Sequence, residues 1–155
     1  MSAEQRLREL EIELPTPQKP AGNYIAGVQV GNLLFMSGCD SRRSDGSFIV
    51  GKLGEDLDVA QGYEAARGAA LSMLANIRSL LGSLDRVNRF VKVLGMVNAT
   101  PDFAHHPKVI DGFSDLMVEV FGESARGGRA AVGMGSLSSR IAVEVEAVLE
   151  VRPSI

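Results

Sequence analysis

The chain has 155 residues, enough for one domain with a sizeable core, and its 45% hydrophobic and 23% charged residues are ordinary for a globular protein. A formal net charge of −3 and scattered basic residues argue against a nucleic-acid-binding surface, so we expect no nucleic-acid partner. No apolar run approaches the roughly 18 residues that a membrane span needs, so we expect no membrane partner either.

The single cysteine, Cys39, cannot form an internal disulfide or a CxxC metal site, which favours a reducing, cytoplasmic location. The opening MSAEQRLRELEIELP is charged and has no apolar segment of the kind that a secretory signal contains, so we expect no such signal. His105 and His106 are adjacent but lack further ligand spacing, so we expect no metal site. No motif implies a cofactor.

Residues 1–21 are interpreted as an N-terminal arm ahead of one α+β domain at 22–155. Apolar residues at helical spacing (Leu7, Leu10, Leu14) predict a short helix in the arm, and PTPQKPAG predicts an extended linker after it. Two apolar runs then flank Gly31-Asn32, a two-residue loop typical of tight β-hairpins. CDSRRSDGSF, which follows, is predicted to be a polar loop.

From Asp58 onwards the apolar period changes to three and four residues, which predicts a long helix that ends at Gly82. A second helical stripe runs from Val109 to Phe121 and is stopped by Gly122. The predicted elements are, in order, strands near 24–30 and 33–37, an extended stretch near 47–51, a helix at 58–81, a strand near 88–98, a helix at 109–121, and strands near 129–134 and 140–151.

This order predicts a two-layer α+β domain, with a mixed five- to six-stranded sheet and two helices on one face. Alternate side chains of the last strand divide into two sets. We expect the purely apolar set to face the helices: Ile141, Val143, Val145, Ala147 and Leu149. The other set contains Glu144 and Glu146, as the wall of a pocket or a partly buried subunit interface would.

Arg129 opens the next-to-last strand, and Glu144 lies early in the last one. We expect the two strands to pair antiparallel, which would bring these residues to one region of the sheet. An arginine grips a carboxylate with two parallel hydrogen bonds, and a neighbouring carboxylate can orient or deprotonate a water. The pair therefore suits a small substrate that carries its own carboxylate and reacts with water.

Along residues 22–150 the chain resembles the RidA/YjgF family, sometimes labelled endoribonuclease L-PSP, because four segments match the family in the family's order. The opening GNYIAGVQVGNLLFMSG is similar to the family motif G-P-Y-x-x-A-x-x-x-G-N-x-x-x-x-S-G. The ending GRAAVGMGSL…RIAVEVEAV is similar to A-R-[ST]-x-V-x-V-x-x-L-P…[VI]-E-[VI]-E-A-[IV]. Between them, LLGSLDRVNRFVKVLGMVNATPDF and VIDGFSDLMVEVFG resemble the helix–strand segment and the second helix of the family.

The resemblance implies a chorismate-mutase-like fold that assembles as a homotrimer, with sites in the clefts between subunits. It also implies hydrolysis of reactive 2-imino or enamine acids to 2-keto acids and ammonia. Carried over position by position, Arg129 binds the carboxylate of the small metabolite, Glu144 lies near the attacking water, and Tyr24 lines the cleft. Cys39 stands where a glutamine is common and is assigned to the substrate-binding residues. The alternatives are a reactive nucleophile, a small buried residue and an oxidation-sensitive group in the cleft.

Several positions depart from the family pattern and indicate a divergent member. Asn23 replaces the opening proline, Gly27 replaces the motif's alanine, and LSSR stands where a Leu-Pro turn is usual. An alternative hypothesis is therefore a non-catalytic trimer that binds or senses a small metabolite. A ribonuclease role is a third option, which the acidic net charge disfavours.

Overall fold

The structure, a computed structural model, describes residues 1–43 and 45–153. Within these residues a mixed five-stranded sheet is covered by three α-helices, and the strand order is β1-β2-β5-β3-β4. The elements are α1 (Ala3–Glu9), β1 (Gly27–Val30), β2 (Leu33–Asp40), α2 (Val59–Leu81), β3 (Val87–Asn98), α3 (His106–Phe121), β4 (Gly128–Met134) and β5 (Val143–Val151).

The predicted order of elements is confirmed, because each element carries its own local signals. Asp58 caps α2 in a capping box with Gln61, and Gly82 ends the helix with a left-handed φ of 82°. α3 begins three residues earlier than its apolar stripe, with Pro107 in its first turn. The stretch predicted near 47–51 forms only isolated bridges, and α1 makes a third helix where two were expected to cover the sheet.

The predicted antiparallel pairing of the last two strands is wrong. β5 lies between β2 and β3 and runs antiparallel to both, whereas β4 pairs parallel with β3 at the edge of the sheet. α3 forms the crossover between β3 and β4, as a parallel pair requires. One whole strand therefore separates Arg129 from Glu144.

One face of the sheet packs against α2 and α3, and the apolar set of β5 lies on that face. Ile141, Val143, Val145, Ala147 and Leu149 are all buried, as expected. The two helices approach each other closely at Gly112 of α3, where a Cβ would overlap the carbonyl oxygen of Tyr63 on α2. Among the described residues, no helix combines the length and apolarity that crossing a lipid bilayer demands.

Helix α1, in the predicted N-terminal arm, packs onto the core of the domain. Leu7 is 2% exposed and belongs to the main hydrophobic cluster. Glu4 forms an ion pair with Arg78 of α2 and also accepts a hydrogen bond from the backbone N–H of Leu84. Nε of Arg6 donates to the carbonyl of Glu119 on α3 at 2.9 Å, so α1 connects the end of α2 to α3. The boundary at residues 21 and 22 stays a prediction.

Candidate functional site

Arg129 lies on the edge strand β4 and points to the helix-covered face. It is in register with Val93 of β3, whose other neighbour in register is the buried Ala147 of β5. Its Nη1 donates to Oδ1 of Asp111 at 2.8 Å and to Oγ of Ser114 at 3.1 Å. Both partners lie on α3, so the guanidinium bridges the edge strand and the helix.

Arg129 borders an open concavity of about 530 Å³ between α2, α3 and β4, here called the Arg129 groove. The lining residues are Tyr63, Val93, Asp111, Ser114, Asp115, Val118, Glu119, Ala125, Arg126, Gly127 and Arg129. A second concavity of about 440 Å³ lies beside α1 and contains none of the residues predicted from the sequence. The groove thus leaves room for a small guest beside the arginine.

The charged side chains of the groove are mostly paired. Glu119 accepts two hydrogen bonds from Arg67 of α2, at 3.1 and 3.2 Å. Oδ2 of Asp115 accepts a hydrogen bond of 2.7 Å from the hydroxyl of Tyr63. This hydrogen bond, together with burial, raises the pKa of Tyr63 to about 12, so the hydroxyl keeps its proton and remains a donor.

Glu144 occupies the opposite face of the sheet. It is in register with Met96 of β3 and Asp40 of β2, and its side chain is half-buried. Burial raises the pKa of Glu144 above its ordinary value, and the negative charges of Asp40 and Glu146 raise it further. Its carboxylate lies over Gly38, where a Cβ would come within 2.5 Å of Oε1. Glycine at this position leaves the space that the carboxylate fills.

The structure does not bring Arg129 and Glu144 together within one chain. Residues in register on neighbouring strands point to the same face of the sheet, so Ala147 shares the face of Arg129. Side chains alternate between the faces along β5, and Glu144, three residues before Ala147, therefore points to the other face. The sheet itself therefore stands between the guanidinium and this carboxylate. Only a Glu144 from another copy of the chain could act at the Arg129 groove.

Tyr24 lies just before β1, at the opposite edge of the sheet from β4. Its side chain is 53% exposed, and its hydroxyl accepts a hydrogen bond from the backbone N–H of Ala21 at 3.3 Å. Four strand spacings of about 4.8 Å, or about 19 Å, separate the two edges. Tyr24 and Arg129 can therefore line one cleft only when they come from different copies.

Cys39 lies in β2 and not in the polar loop that the sequence predicts from this residue onwards. The side chain is 3% exposed, and its Sγ accepts a hydrogen bond from Nδ2 of Asn76 on α2 at 3.6 Å. Burial raises the pKa of the thiol to about 12, so the thiolate is not populated at neutral pH. Within one protomer no ligand reaches Cys39, and the geometry gives its predicted binding role no support.

Sequence reasoning missed the partners that surround Arg129. Asp111 and Asp115 lie one helical turn apart on α3, a spacing visible in the sequence, but only the fold shows that this face borders β4. Tyr63 lies within α2, and its position in the sequence does not indicate that its hydroxyl reaches α3. Among the residues that the structure describes, no three His, Cys, Asp or Glu side chains cluster as a metal site requires.

Comparisons with known proteins agree on one family. The family described as "YjgF/chorismate mutase-like, putative endoribonuclease" matches residues 4–142. Protein TCP17 of Trypanosoma cruzi is 41% identical over 145 residues, which cover 93% of this chain and 91% of TCP17.

Two solved structures are similar along nearly the whole chain. Atu1372 of Agrobacterium tumefaciens, a protein described as of unknown function, is 38% identical with a TM-score of 0.89, over 97% of this chain and 92% of its own. A Shewanella oneidensis protein described as a "putative endoribonuclease" is 32% identical with a TM-score of 0.92, over 97% and 100%. RidA of a Psychrobacter species, 23% identical with a TM-score of 0.58 over 88% and 94%, shares the fold.

Proposed function

The chain belongs to the RidA/YjgF family, and on that premise we propose that it hydrolyses reactive 2-imino or enamine acids to 2-keto acids and ammonia. The observation that supports this proposal is the guanidinium of Arg129 at the wall of an open groove large enough for a small organic acid. Within residues 1–43 and 45–153, Nη1 makes both short contacts, whereas Nη2 makes one contact of 3.5 Å, to the carbonyl of Pro107. The Nη2 group is thus available to a carboxylate of the substrate.

In the proposed reaction one water adds to the C=N carbon, the C–N bond breaks, and ammonia leaves as the C=O bond forms. Holding the substrate carboxylate at Arg129 fixes the position of the imine carbon, and such positioning supplies much of the acceleration for an intrinsically easy hydrolysis. Glu144 is proposed to accept a proton from the water. Its raised pKa makes it a stronger base than an ordinary glutamate, and it would act from another protomer.

The uncovered face of the sheet supports the proposal of a homotrimer. Four apolar side chains on this face or at its edges are more than a third exposed: Val28, Val30, Phe35 and Val132. We propose that copies of the chain cover this face, so that Tyr24 of one protomer approaches Arg129 of the next. Light scattering at micromolar concentration should give about three times the 16.5 kDa of one chain, and a mass of one chain would contradict the assembly.

A non-catalytic trimer that holds a small metabolite is the second candidate. Two observations favour it: Arg129 is already paired with Asp111, and Glu144 of the same chain does not reach the described part of the groove, where it would serve as a base. Such a protein would bind a keto or amino acid without turning it over. Ribonuclease activity is disfavoured because the net charge is −3 and the groove presents Asp111, Asp115 and Glu119 to any phosphodiester.

An imine-trapping assay separates hydrolysis from binding. We expect wild-type protein to lower the amount of 2-iminobutyrate, generated in situ, that semicarbazide captures. Arg129→Ala should abolish this effect. Arg126→Ala is the matched control, because this arginine lines the same groove but is exposed and paired with Glu123.

Three outcomes have distinct meanings. Loss of activity in Arg129→Ala with activity retained in Arg126→Ala supports the proposed role of the guanidinium. Full activity in Arg129→Ala would contradict that role. A wild-type protein that fails to hydrolyse the imine but binds 2-ketobutyrate in calorimetry would favour the second candidate.

A further inference from the structure

Asp115 is the carboxylate of the Arg129 groove that has no cationic partner. Glu119 is paired with Arg67, and Asp111 is paired with Arg129. Across residues 1–43 and 45–153, no basic nitrogen lies within 4.0 Å of the Asp115 carboxylate. A negative charge without a cationic partner in the groove weakens the binding of a plain carboxylate and strengthens the binding of a cationic group.

The hydrogen bond to Tyr63 holds Asp115 in place. The hydroxyl donates to Oδ2 at 2.7 Å, so this hydrogen bond occupies one carboxylate oxygen and the other, Oδ1, can accept from a guest. Tyr63 is on α2 and Asp115 on α3, and the close approach of these helices at Gly112 fixes their separation. The carboxylate is therefore oriented by the scaffold before any ligand arrives.

Asp111 and Asp115 are four residues apart on α3, about 6.0 Å along the helix axis, and Nη1 of Arg129 contacts both Asp111 and Ser114 between these levels. A small molecule with a carboxylate at one end and a cationic nitrogen beside it can span this distance with two charge-assisted hydrogen bonds of about 2.8 Å. The groove thus holds a guanidinium and a carboxylate at a separation that suits such a molecule.

We propose that the Arg129 groove recognises a zwitterion: Arg129 binds its carboxylate and Asp115 binds its cationic nitrogen. This assignment rests on the proposed function and adds a specificity residue to it. The protonated form of a 2-imino acid is such a zwitterion. The 2-keto acid product lacks the nitrogen and meets an unpaired carboxylate, so hydrolysis converts a ligand that the groove binds tightly into one that it binds more weakly.

Calorimetric titration with two stable ligands of the same carbon skeleton tests the assignment. L-2-aminobutyrate carries both charges, and 2-ketobutyrate carries the carboxylate alone. We expect wild-type protein to bind the amino acid at least ten-fold more tightly than the keto acid. Asp115→Asn should reduce that ratio at least five-fold, whereas Asp102→Asn, an exposed aspartate outside the groove, should preserve it.

Tyr63→Phe provides a second, milder variant. It removes the hydroxyl that positions Asp115 but leaves the carboxylate itself, so the preference for the amino acid should fall less than in Asp115→Asn. Thermal unfolding of each variant shows that the fold is intact. Equal binding of the two ligands by the wild type, or a ratio that Asp115→Asn leaves unchanged within two-fold, would overturn the assignment.

The imine-trapping assay on the same variants tests the proposed hydrolysis separately from the zwitterion assignment. If the protein hydrolyses the imine but does not prefer the amino acid, the zwitterion assignment is contradicted and the hydrolase proposal is still supported. A preference that depends on Asp115, without hydrolysis, supports the assignment and removes the catalytic proposal. Failure to bind either ligand at millimolar concentration, together with failure to hydrolyse the imine, overturns both.

Discussion

Neutralising Asp111 tests how much its charge competes with a ligand for Arg129. Asp111→Asn is nearly isosteric and keeps an oxygen that can accept from Nη1 of Arg129, so only the charge changes. The contact is 2.8 Å, but the two side chains are 26% and 46% exposed. A partly solvated pair of this kind contributes about 0.2–1 kcal/mol. The same range limits the gain in binding free energy of a substrate carboxylate when the competing charge of Asp111 is removed.

Because 1.4 kcal/mol corresponds to a ten-fold change in affinity, this range predicts that 2-ketobutyrate binds about 1.4- to 5-fold more tightly to Asp111→Asn than to wild type. Isothermal titration calorimetry measures this change, and urea unfolding should show a stability loss of no more than about 1 kcal/mol. Asp102→Asn serves as the charge-matched control. Unchanged or weaker binding by a natively folded Asp111→Asn protein would refute the idea that a carboxylate docks at this guanidinium.

Three further predictions concern stability, measured by urea unfolding. Leu7→Ala should cost about 2–5 kcal/mol, because Leu7 is buried in the core under α1; a loss below about 1 kcal/mol would mean that α1 does not pack as described. Gly112→Ala should cost at least about 2 kcal/mol by forcing α2 and α3 apart. Gly68→Ala, within α2 with its nearest neighbour at 3.5 Å, should instead be neutral or stabilise by up to about 1 kcal/mol. Glu144→Gln should stabilise the protein at pH 7, since the raised pKa of Glu144 means that ionisation of this carboxyl disfavours the folded state. The gain should vanish below the ordinary pKa of 4.5, where the carboxyl is protonated in both states; a gain that persists there would contradict the assigned cause.

Local periodicity was sufficient to place the two long helices and the greater part of the strands. The stripe that starts at Asp58, its cap and Gly82 are all encoded within one segment, and the alternation of β5 gave its buried face directly. The polar residues that follow Cys39 concealed the last three residues of β2, because a short run of small residues carries little strand signal.

Strand neighbours and the groove could not be predicted in the same way. That β5 inserts between β2 and β3 depends on contacts between residues more than 100 positions apart, as between Leu33 and Glu150. The hydrogen bond between Tyr63 and Asp115 joins residues 52 positions apart on different helices. No local pattern records such a contact, so the sequence indicated Arg129 but not the residues that surround it.

A crystal structure of the protein bound to L-2-aminobutyrate gives the most direct measurement of whether the Arg129 groove holds an organic acid. We expect the ligand carboxylate within about 3 Å of the Arg129 guanidinium and its ammonium within about 3 Å of Asp115. A ligand found elsewhere on the protein, with the groove empty and Arg129 bound only to α3, would contradict the proposed site.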